Sequence, residues 1–193
     1  EHAWTVMPGR FDARILPLNY VNSTAAIKAF FAKHGGATVT SSNAKKMLEW
    51  AFSQKERILF LPDQHLGGNT AYELGIPLDQ MAVWDPIKNR FDYEGDLQQV
   101  KVILWKGYCS VHEKFTTENV QHIRQHDPDR KIIVHPECSH EVVQLADEVG
   151  STTQIIHIIE RSPSGSKWAV GTEMNLVNRL AKLHQDKDII SLN

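Results

Sequence analysis

Short apolar runs alternate along the chain with longer stretches that have apolar residues at helical spacing. The apolar runs predict strands over residues 14–21, 57–62, 99–105, 131–136 and 167–172. The amphipathic stretches predict helices over residues 23–34, 42–54, 116–126, 140–149 and 173–184. Because the strand runs are apolar throughout, they are typical of parallel strands that helices cover on both faces. The pattern therefore predicts an α/β fold with parallel sheets.

The order of these elements occurs twice. After "RILPLNYVNS" come a helix, the stretch "GGATVTSSN", a second helix, a strand and a third helix, and the same order follows "KIIVHPECS". Corresponding positions in the two halves, such as Tyr20 and His135, lie roughly 110 residues apart, which indicates an internal repeat. We predict two three-layer α/β/α units over residues 1–107 and 108–193, with Cys109 at their junction.

Charge and composition exclude several classes of protein. The chain has 21 basic and 23 acidic residues, and no basic stripe with interleaved aromatic residues, so we expect no nucleic-acid partner. No apolar run is long enough to cross a bilayer, so we expect no membrane association. Two cysteines in 193 residues are too few for a disulfide framework and favour a reducing, cytoplasmic location. The chain starts without Met, and both ends suggest part of a longer protein.

Polar side chains cluster where the predicted strands end, at the edge of a parallel sheet where ligands usually bind. These residues are Tyr20, Asn22, Asp63, Gln64, His65, His135, Glu137 and Cys138. In "HPEC", an imidazole and a carboxylate flank a proline, which suits proton transfer but is equally consistent with a polar turn. For Cys138 we favour a buried thiol that acts as a small hydrophobic residue over a metal ligand.

Two hydroxyl-rich stretches lead into predicted helices. Ser41, Ser42, Ser151 and Thr152 are candidate N-caps, whose side-chain oxygens accept from free backbone N–H groups. The same helix starts could bind anions, because their N–H groups and dipoles favour negative charge. Two such sites at equivalent positions suggest a substrate with two anionic groups, either carboxylates or phosphates.

The residues around Cys109 leave its role open. A nucleophilic cysteine would need His112 nearby and a third group to orient that histidine. A self-contained zinc site would need a second cysteine at close spacing, and "GYCSVHEKF" has none. On composition alone, a buried structural thiol is the favoured interpretation.

Several fragments together resemble the quinolinate synthase family, particularly enzymes of Bacillus-like bacteria. The resemblance runs from Leu16 to Asn193 and rests on "YVNSTAAIKAF", "TVTSSNAKKM", "LPDQHLGGNTA", "MAVWDP", "KGYCSVHEKF", "IIVHPEC", "GSTTQ" and "GTEMNLVNRL". It implies three α/β domains with pseudo-threefold symmetry, of which this chain contains the second and third and lacks the first.

The resemblance also implies a reaction. Enzymes of this family are transferases of NAD (pyridine nucleotide) biosynthesis that condense iminoaspartate with dihydroxyacetone phosphate to form quinolinate. This activity links them functionally to L-aspartate oxidase. A [4Fe-4S] cluster, held by one cysteine from each domain, leaves one iron open as a Lewis acid.

Site residues follow from the same resemblance. Cys109 matches a cluster ligand, whereas Cys138 matches a cysteine that does not bind the cluster. The implied catalytic residues are Tyr20, His112, His135 and Glu137, with Glu137 favoured for proton transfer. The implied substrate-binding residues are Tyr20, Asn22, Ser41, His135, Glu137, Ser151 and Thr152.

The resemblance implies three cysteine ligands, and this sequence contains one of them and lacks the other two. We therefore predict that it is inactive and free of a cluster by itself. Two other hypotheses remain. The chain could be a cluster-free α/β module that binds small anions, or a cysteine-dependent α/β transferase that uses Cys109 and His112.

Overall fold

A computed structural model describes residues 14–193 of the chain. The chain divides into two compact units, Glu1–Tyr108 and Cys109–Asn193. Both units have a largely parallel β-sheet with helices between most successive strands, so the α/β class predicted from the sequence is confirmed.

The first unit contains a six-stranded sheet with the order β2-β1-β3-β6-β4-β5. Its strands are β1 (Ile15–Tyr20), β2 (Ala37–Val39), β3 (Arg57–Leu61), β4 (Met81–Asp85), β5 (Arg90–Asp92) and β6 (Val102–Trp105). Its helices are α1 (Ala25–Lys33), α2 (Ala44–Gln54) and α3 (Gln64–Glu73). All neighbouring strands are parallel except β4 and β5, which form an antiparallel pair.

The second unit contains a four-stranded parallel sheet with the order β10-β9-β7-β8. Its strands are β7 (Lys131–Val134), β8 (Glu148–Val149), β9 (Lys167–Gly171) and β10 (Asp188–Ser191). Its helices are α4 (Thr117–His126), α5 (His140–Leu145), α6 (Thr152–Arg161) and α7 (Met174–Leu183). The order β8-β7-β9-β10 repeats the order β2-β1-β3-β6 of the first unit, with β4 and β5 as the additional strands there.

The core explains why the strand runs lack polar alternation. In β3, Ile58 and Phe60 pack in one apolar cluster, whereas Leu59 and Leu61 pack in another. In β7, Ile132 and Val134 face one cluster, and Ile133 faces the other. Since successive strand residues point to opposite faces, each sheet is covered on both sides. This is the three-layer arrangement expected from the sequence.

A close approach between α3 and the sheet requires glycine at one position. A Cβ atom on Gly67 would lie 2.6 Å from Cδ1 of Phe60 and 2.8 Å from Cδ2 of Leu104. Cβ atoms essentially never lie this close to other carbon atoms, so Gly67 allows α3 to pack directly on β3 and β6. In the described part of the chain, every helix is too short or too polar to span a lipid bilayer.

Candidate functional site

The loop that begins the second unit places Cys109 and His112 on the same side of the backbone. The Cys109 carbonyl accepts a hydrogen bond from the Glu113 N–H at 3.0 Å, and His112–Lys114 then forms a single 3₁₀ turn. A ligand atom of the imidazole lies within 4.8 Å of the Cys109 sulfur, so the two side chains project into the same region. Cys109 is half-buried and His112 is buried.

The turn after β7 brings Glu137 back towards the end of that strand. The His135 N–H donates to the Gly171 carbonyl at 3.0 Å, which extends the pairing between β7 and β9 by one residue. The Cys138 N–H donates to the His135 carbonyl at 3.0 Å and closes a tight turn around Pro136. The Glu137 N–H also donates to Nδ1 of His135, at 3.3 Å.

One carboxylate oxygen of Glu137 lies between two imidazoles. Its Oε2 atom is 2.9 Å from Nδ1 of His112 and 3.3 Å from Nδ1 of His135. The two rings stack with centroids 4.6 Å apart and planes 18° apart. All three side chains are at least nine-tenths buried. The arrangement is therefore a desolvated His–Glu–His cluster, where small displacements of charge have large energetic effects.

The protonation state of His135 follows from its surroundings. Its pKa is lowered to about 4, mainly by burial and also by the nearby His112, whereas Glu137 opposes both effects. His135 is therefore neutral at pH 7. Because its Nδ1 accepts from the Glu137 N–H, its single ring proton is on Nε2.

Cys109, His112 and Glu137 form a group that could hold a metal ion. One donor atom from each lies within 4.8 Å of the other two. Although Glu137 Oε2 is close to Nδ1 of His112, that nitrogen makes no hydrogen bond of acceptable direction to any residue in the described range. A thiolate, an imidazole and a carboxylate that converge in this way suit a transition metal ion.

Thr172 is a part of the cluster that sequence reasoning missed. It follows β9, is buried, and places its Oγ1 atom 3.3 Å from Nε2 of His112. The "GTE" motif that contains it was recognised, but Thr172 was not assigned a role. Glu173, the next residue, acts structurally: its side chain caps α7 by accepting from the N–H groups of Asn175 and Leu176.

Cys138 lies outside this group of donor atoms. Its side chain is completely buried in the apolar cluster of the second unit, and its thiol donates to the Gly171 carbonyl at 3.7 Å. The interpretation of Cys138 as a buried thiol is therefore confirmed.

The first unit places the remaining candidates at the ends of β1 and β2. Tyr20 is the last residue of β1 and is buried, Asn22 is exposed just beyond it, and Ser41 is half-buried after β2. The prediction that Ser41 and Ser42 are N-caps is wrong, because α2 begins after Asn43. Asn43 Oδ1 instead accepts from the Thr40 N–H at 2.7 Å and stabilises the turn before the helix.

Ser151 caps a helix, whereas Thr152 does not. The Ser151 hydroxyl accepts from the Gln154 N–H, and Gln154 Oε1 accepts from the Ser151 N–H at 2.8 Å, which completes a capping box at α6. Thr152 is the first residue of that helix and is exposed, so its predicted capping role is wrong. At the end of β3, Asp63 is likewise an N-cap, because its Oδ1 atom accepts from the Leu66 N–H at 2.7 Å.

Comparisons with known proteins point to one family along the whole described range. The family model described as "Quinolinate synthetase A protein" matches residues 10–193. Proteins named quinolinate synthase from Anoxybacillus flavithermus, a Geobacillus species and Halalkalibacterium halodurans are 69%, 68% and 66% identical over all 193 residues. The matched region is 53% of each of these proteins, so the chain spans about half the length of the curated relatives it matches.

Proposed function

The chain belongs to the quinolinate synthetase A protein family, and on this premise we propose that it forms the second and third domains of a quinolinate synthase. The proposed boundaries of these domains are residues 1–107 and 108–193. The proposed reaction condenses iminoaspartate with dihydroxyacetone phosphate to give quinolinate for NAD biosynthesis. An L-aspartate oxidase would supply the iminoaspartate.

The buried group of Cys109, His112 and Glu137 is the observation that supports this proposal most directly. A cysteine-dependent transferase would need an imidazole directed at the thiol as a base, with a third group to orient it. Here Nδ1 of His112 lies 2.9 Å from a carboxylate oxygen of Glu137 and Nε2 lies 3.3 Å from Oγ1 of Thr172, so both ring nitrogens face other polar atoms and three electron-rich donors converge. Such a group is more stable around a cation than without one.

We infer that Cys109 is one of the three thiolate ligands of a [4Fe-4S] cluster. The other cysteine of this chain, Cys138, is buried and donates its thiol to a carbonyl group, so it does not fit a ligand role. The two remaining ligands would lie in segments equivalent to the parts of the longer relatives that this chain does not span. When bound, the cluster would act as a Lewis acid that polarises a substrate oxygen.

The side chains around Cys109 would position the substrate and move protons. Neutral His135 would donate a hydrogen bond from Nε2 to a substrate oxygen, because its Nδ1 is already an acceptor. Glu137, the only acidic residue in the His–Glu–His cluster, would accept and return protons during condensation and loss of water. His112 and Tyr20 would complete the catalytic set.

The remaining candidates would bind the anionic ends of the substrates. Iminoaspartate has two carboxylates and dihydroxyacetone phosphate has a phosphate, so at least two anion sites are needed. We propose that Tyr20, Asn22 and Ser41 form one site at the carboxyl ends of β1 and β2. Ser151 and Thr152, at the N-terminus of α6, would form the other.

The two cysteines provide a matched test of this proposal in the full-length enzyme. After anaerobic reconstitution with iron and sulfide, we expect Cys109→Ala to abolish the visible cluster absorbance and quinolinate formation, because a ligand is lost. Cys138→Ala should keep the cluster and much of the activity at some cost in stability, because it removes only a buried thiol. Iron and sulfide analysis, absorbance and a quinolinate assay measure the outcomes. A full complement of iron in Cys109→Ala would exclude Cys109 as a ligand.

A further inference from the structure

Two histidines one turn apart have their rings in contact at the end of α4. His126 is the last residue of this helix, and its Nδ1 atom lies 2.9 Å from the carbonyl oxygen of His122. The centroids of the two rings are 4.2 Å apart, with 32° between their planes. Both side chains are exposed to solvent. The pair is therefore accessible on the surface and already held together before any ligand binds.

The same geometry occurs at the end of α1 and shows what causes it. There, Nδ1 of His34 lies 2.7 Å from the carbonyl oxygen of Phe30, and the two rings are 4.3 Å apart at 39°. In both cases a histidine at a helix C-terminus donates from its side chain to the carbonyl four residues earlier. This hydrogen bond places the imidazole against the side chain of that earlier residue. In α4 the earlier residue is a second histidine.

The backbone hydrogen bond also selects the tautomer of His126. Since a carbonyl oxygen can only accept, Nδ1 of His126 carries the proton and Nε2 has the lone pair. Histidines that bind metals are typically oriented by just such a hydrogen bond from the other ring nitrogen. His126 is therefore prepared to act as a ligand through Nε2.

The spacing of the rings fits binding to a shared ion. Imidazole nitrogens bind zinc at about 2.0–2.1 Å, so the centroids of two rings on one ion lie roughly 4.5 Å apart at a 90° ligand angle and roughly 5.2 Å apart at the tetrahedral angle. The observed 4.2 Å is shorter than these distances by roughly 0.3–1 Å, which rotations of the two exposed side chains can supply. Paired histidines at positions i and i+4 on a helix are an established arrangement for zinc ligands.

We propose that His122 and His126 form a surface chelate for a divalent transition metal such as Zn²⁺, Ni²⁺ or Cu²⁺. The two imidazoles supply nitrogen donors of intermediate softness, Nε2 in the case of His126, and water fills the other coordination positions. This site is separate from the group of Cys109, His112 and Glu137 and does not depend on the proposed function. Because metal binding requires neutral imidazoles, the affinity falls when the solution is acidified.

Titration of the untagged chain with NiCl₂ tests the proposal. A Cys109→Ser background removes the thiolate from the other group of donor atoms, so the measured heat reports mainly the surface pair. His122→Gln is the sharpest variant, because the hydrogen bond of His126 uses the backbone carbonyl of residue 122 and is retained. We expect this variant to raise the dissociation constant by at least about tenfold, because the second donor binds at high effective concentration.

His34→Gln is the matched control. It removes an imidazole with the same capping geometry, but the residue four positions earlier is Phe30, which offers no metal ligand. Its dissociation constant should equal that of the parent. A dissociation constant for His122→Gln within twofold of the parent would overturn the proposal and would mean an adventitious ion only. Histidine ¹H–¹⁵N spectra provide a second readout. The proton of His126 should be on Nδ1 before metal is added. The Nε2 signal of His126 and a ring-nitrogen signal of His122 should then shift together when Zn²⁺ binds.

Discussion

The contact between Thr172 and His112 bears on which nitrogen of the His112 ring is free to bind a metal ion. If Nε2 of His112 donates its proton to Oγ1 of Thr172, Nδ1 has the lone pair and is the nitrogen available to a metal ion held together with Cys109 and Glu137. Second-shell hydrogen bonds of this kind fix the tautomer of a histidine ligand. Thr172 would then act through His112 rather than on a substrate.

Thr172→Val should therefore weaken metal binding by this chain about 10–100-fold, the usual effect of losing such a partner. Titration with Co²⁺ measures this, since the sulfur-to-cobalt charge-transfer band reports binding at Cys109 and not at the surface histidines. Thr172→Ser keeps the hydroxyl and should retain most of the affinity. If serine and valine weaken binding equally, Thr172 has only a packing role.

At this scale, sequence reasoning identified side chains but not their partners. It selected His112, His135 and Glu137 as candidates. The position of Glu137 Oε2 between the two imidazoles, however, depends on a tight turn after β7 and on a loop about 25 residues earlier. Thr172 was overlooked because a threonine after a strand has no distinctive pattern, and its contact with His112 spans 60 positions along the chain. Contacts of this kind arise only from the folded sheet.

At the scale of elements, two adjacent glycines in α3 have different environments. A Cβ atom on Gly67 would approach Phe60 and Leu104 within 3 Å, whereas on Gly68 the nearest atom, Cδ1 of Leu104, would be 3.3 Å away. The first position leaves no room for a methyl group. The second requires a small shift of one flexible side chain.

We expect Gly67→Ala to lower the free energy of unfolding by about 1–3 kcal/mol, because it overpacks the contact between α3 and the sheet. Gly68→Ala is the matched control. It should change stability much less, because alanine favours the helix by about 1 kcal/mol over glycine and offsets the tighter contact. Urea denaturation followed by circular dichroism compares the two. Equal destabilisation would contradict the assigned close approach.

The long amphipathic helices and apolar strands were predictable, with ends that differ by a few residues. The strand predicted over residues 99–105, for example, begins at Val102, because Leu97–Gln99 forms a 3₁₀ turn. The helix predicted over residues 140–149 ends at Leu145, and Glu148–Val149 pairs with β7 instead. A two-residue strand has too short a pattern to recognise. The N-cap of α2 was misplaced because three polar residues in succession could each have served.

At the scale of the whole molecule, a buried neutral histidine makes stability depend on pH. The pKa of His135 is about 4 in the folded chain, below its ordinary value of 6.5, so the unfolded chain binds more protons between these values. The resulting stability is fully present above about pH 6.5 and is lost as the pH falls towards 4. The total loss is about 3 kcal/mol, since one pKa unit corresponds to about 1.4 kcal/mol.

The free energy of unfolding, measured by urea titration at several pH values, should therefore decrease steadily from pH 6.5 to pH 4. His135→Gln lacks the titrating group and should show a shallower slope, even if its stability is lower at every pH. His34→Gln, which removes an exposed histidine, should keep the parent slope. A His135→Gln slope as steep as that of the parent would assign the effect to other groups.

The fold class and the order of elements could be predicted because they depend on local periodicity and on the burial of both sheet faces. The antiparallel pair of β4 and β5 was not predicted, because the short β5 is mostly polar and exposed. The family was recognised because several separate fragments occurred in the correct order, although each was weak alone.

The Gly171 carbonyl accepts from both the His135 N–H and the Cys138 thiol, and Thr172 follows it directly. Through these hydrogen bonds and the contact of Thr172 with His112, residues 171–172 connect the buried sulfur of Cys138 to both imidazoles of the His–Glu–His cluster. An alkylating reagent that reached Cys138 would disturb His112 and His135 without modifying Cys109. Inactivation by a thiol reagent thus identifies Cys109 only if peptide mapping shows that Cys138 is unlabelled.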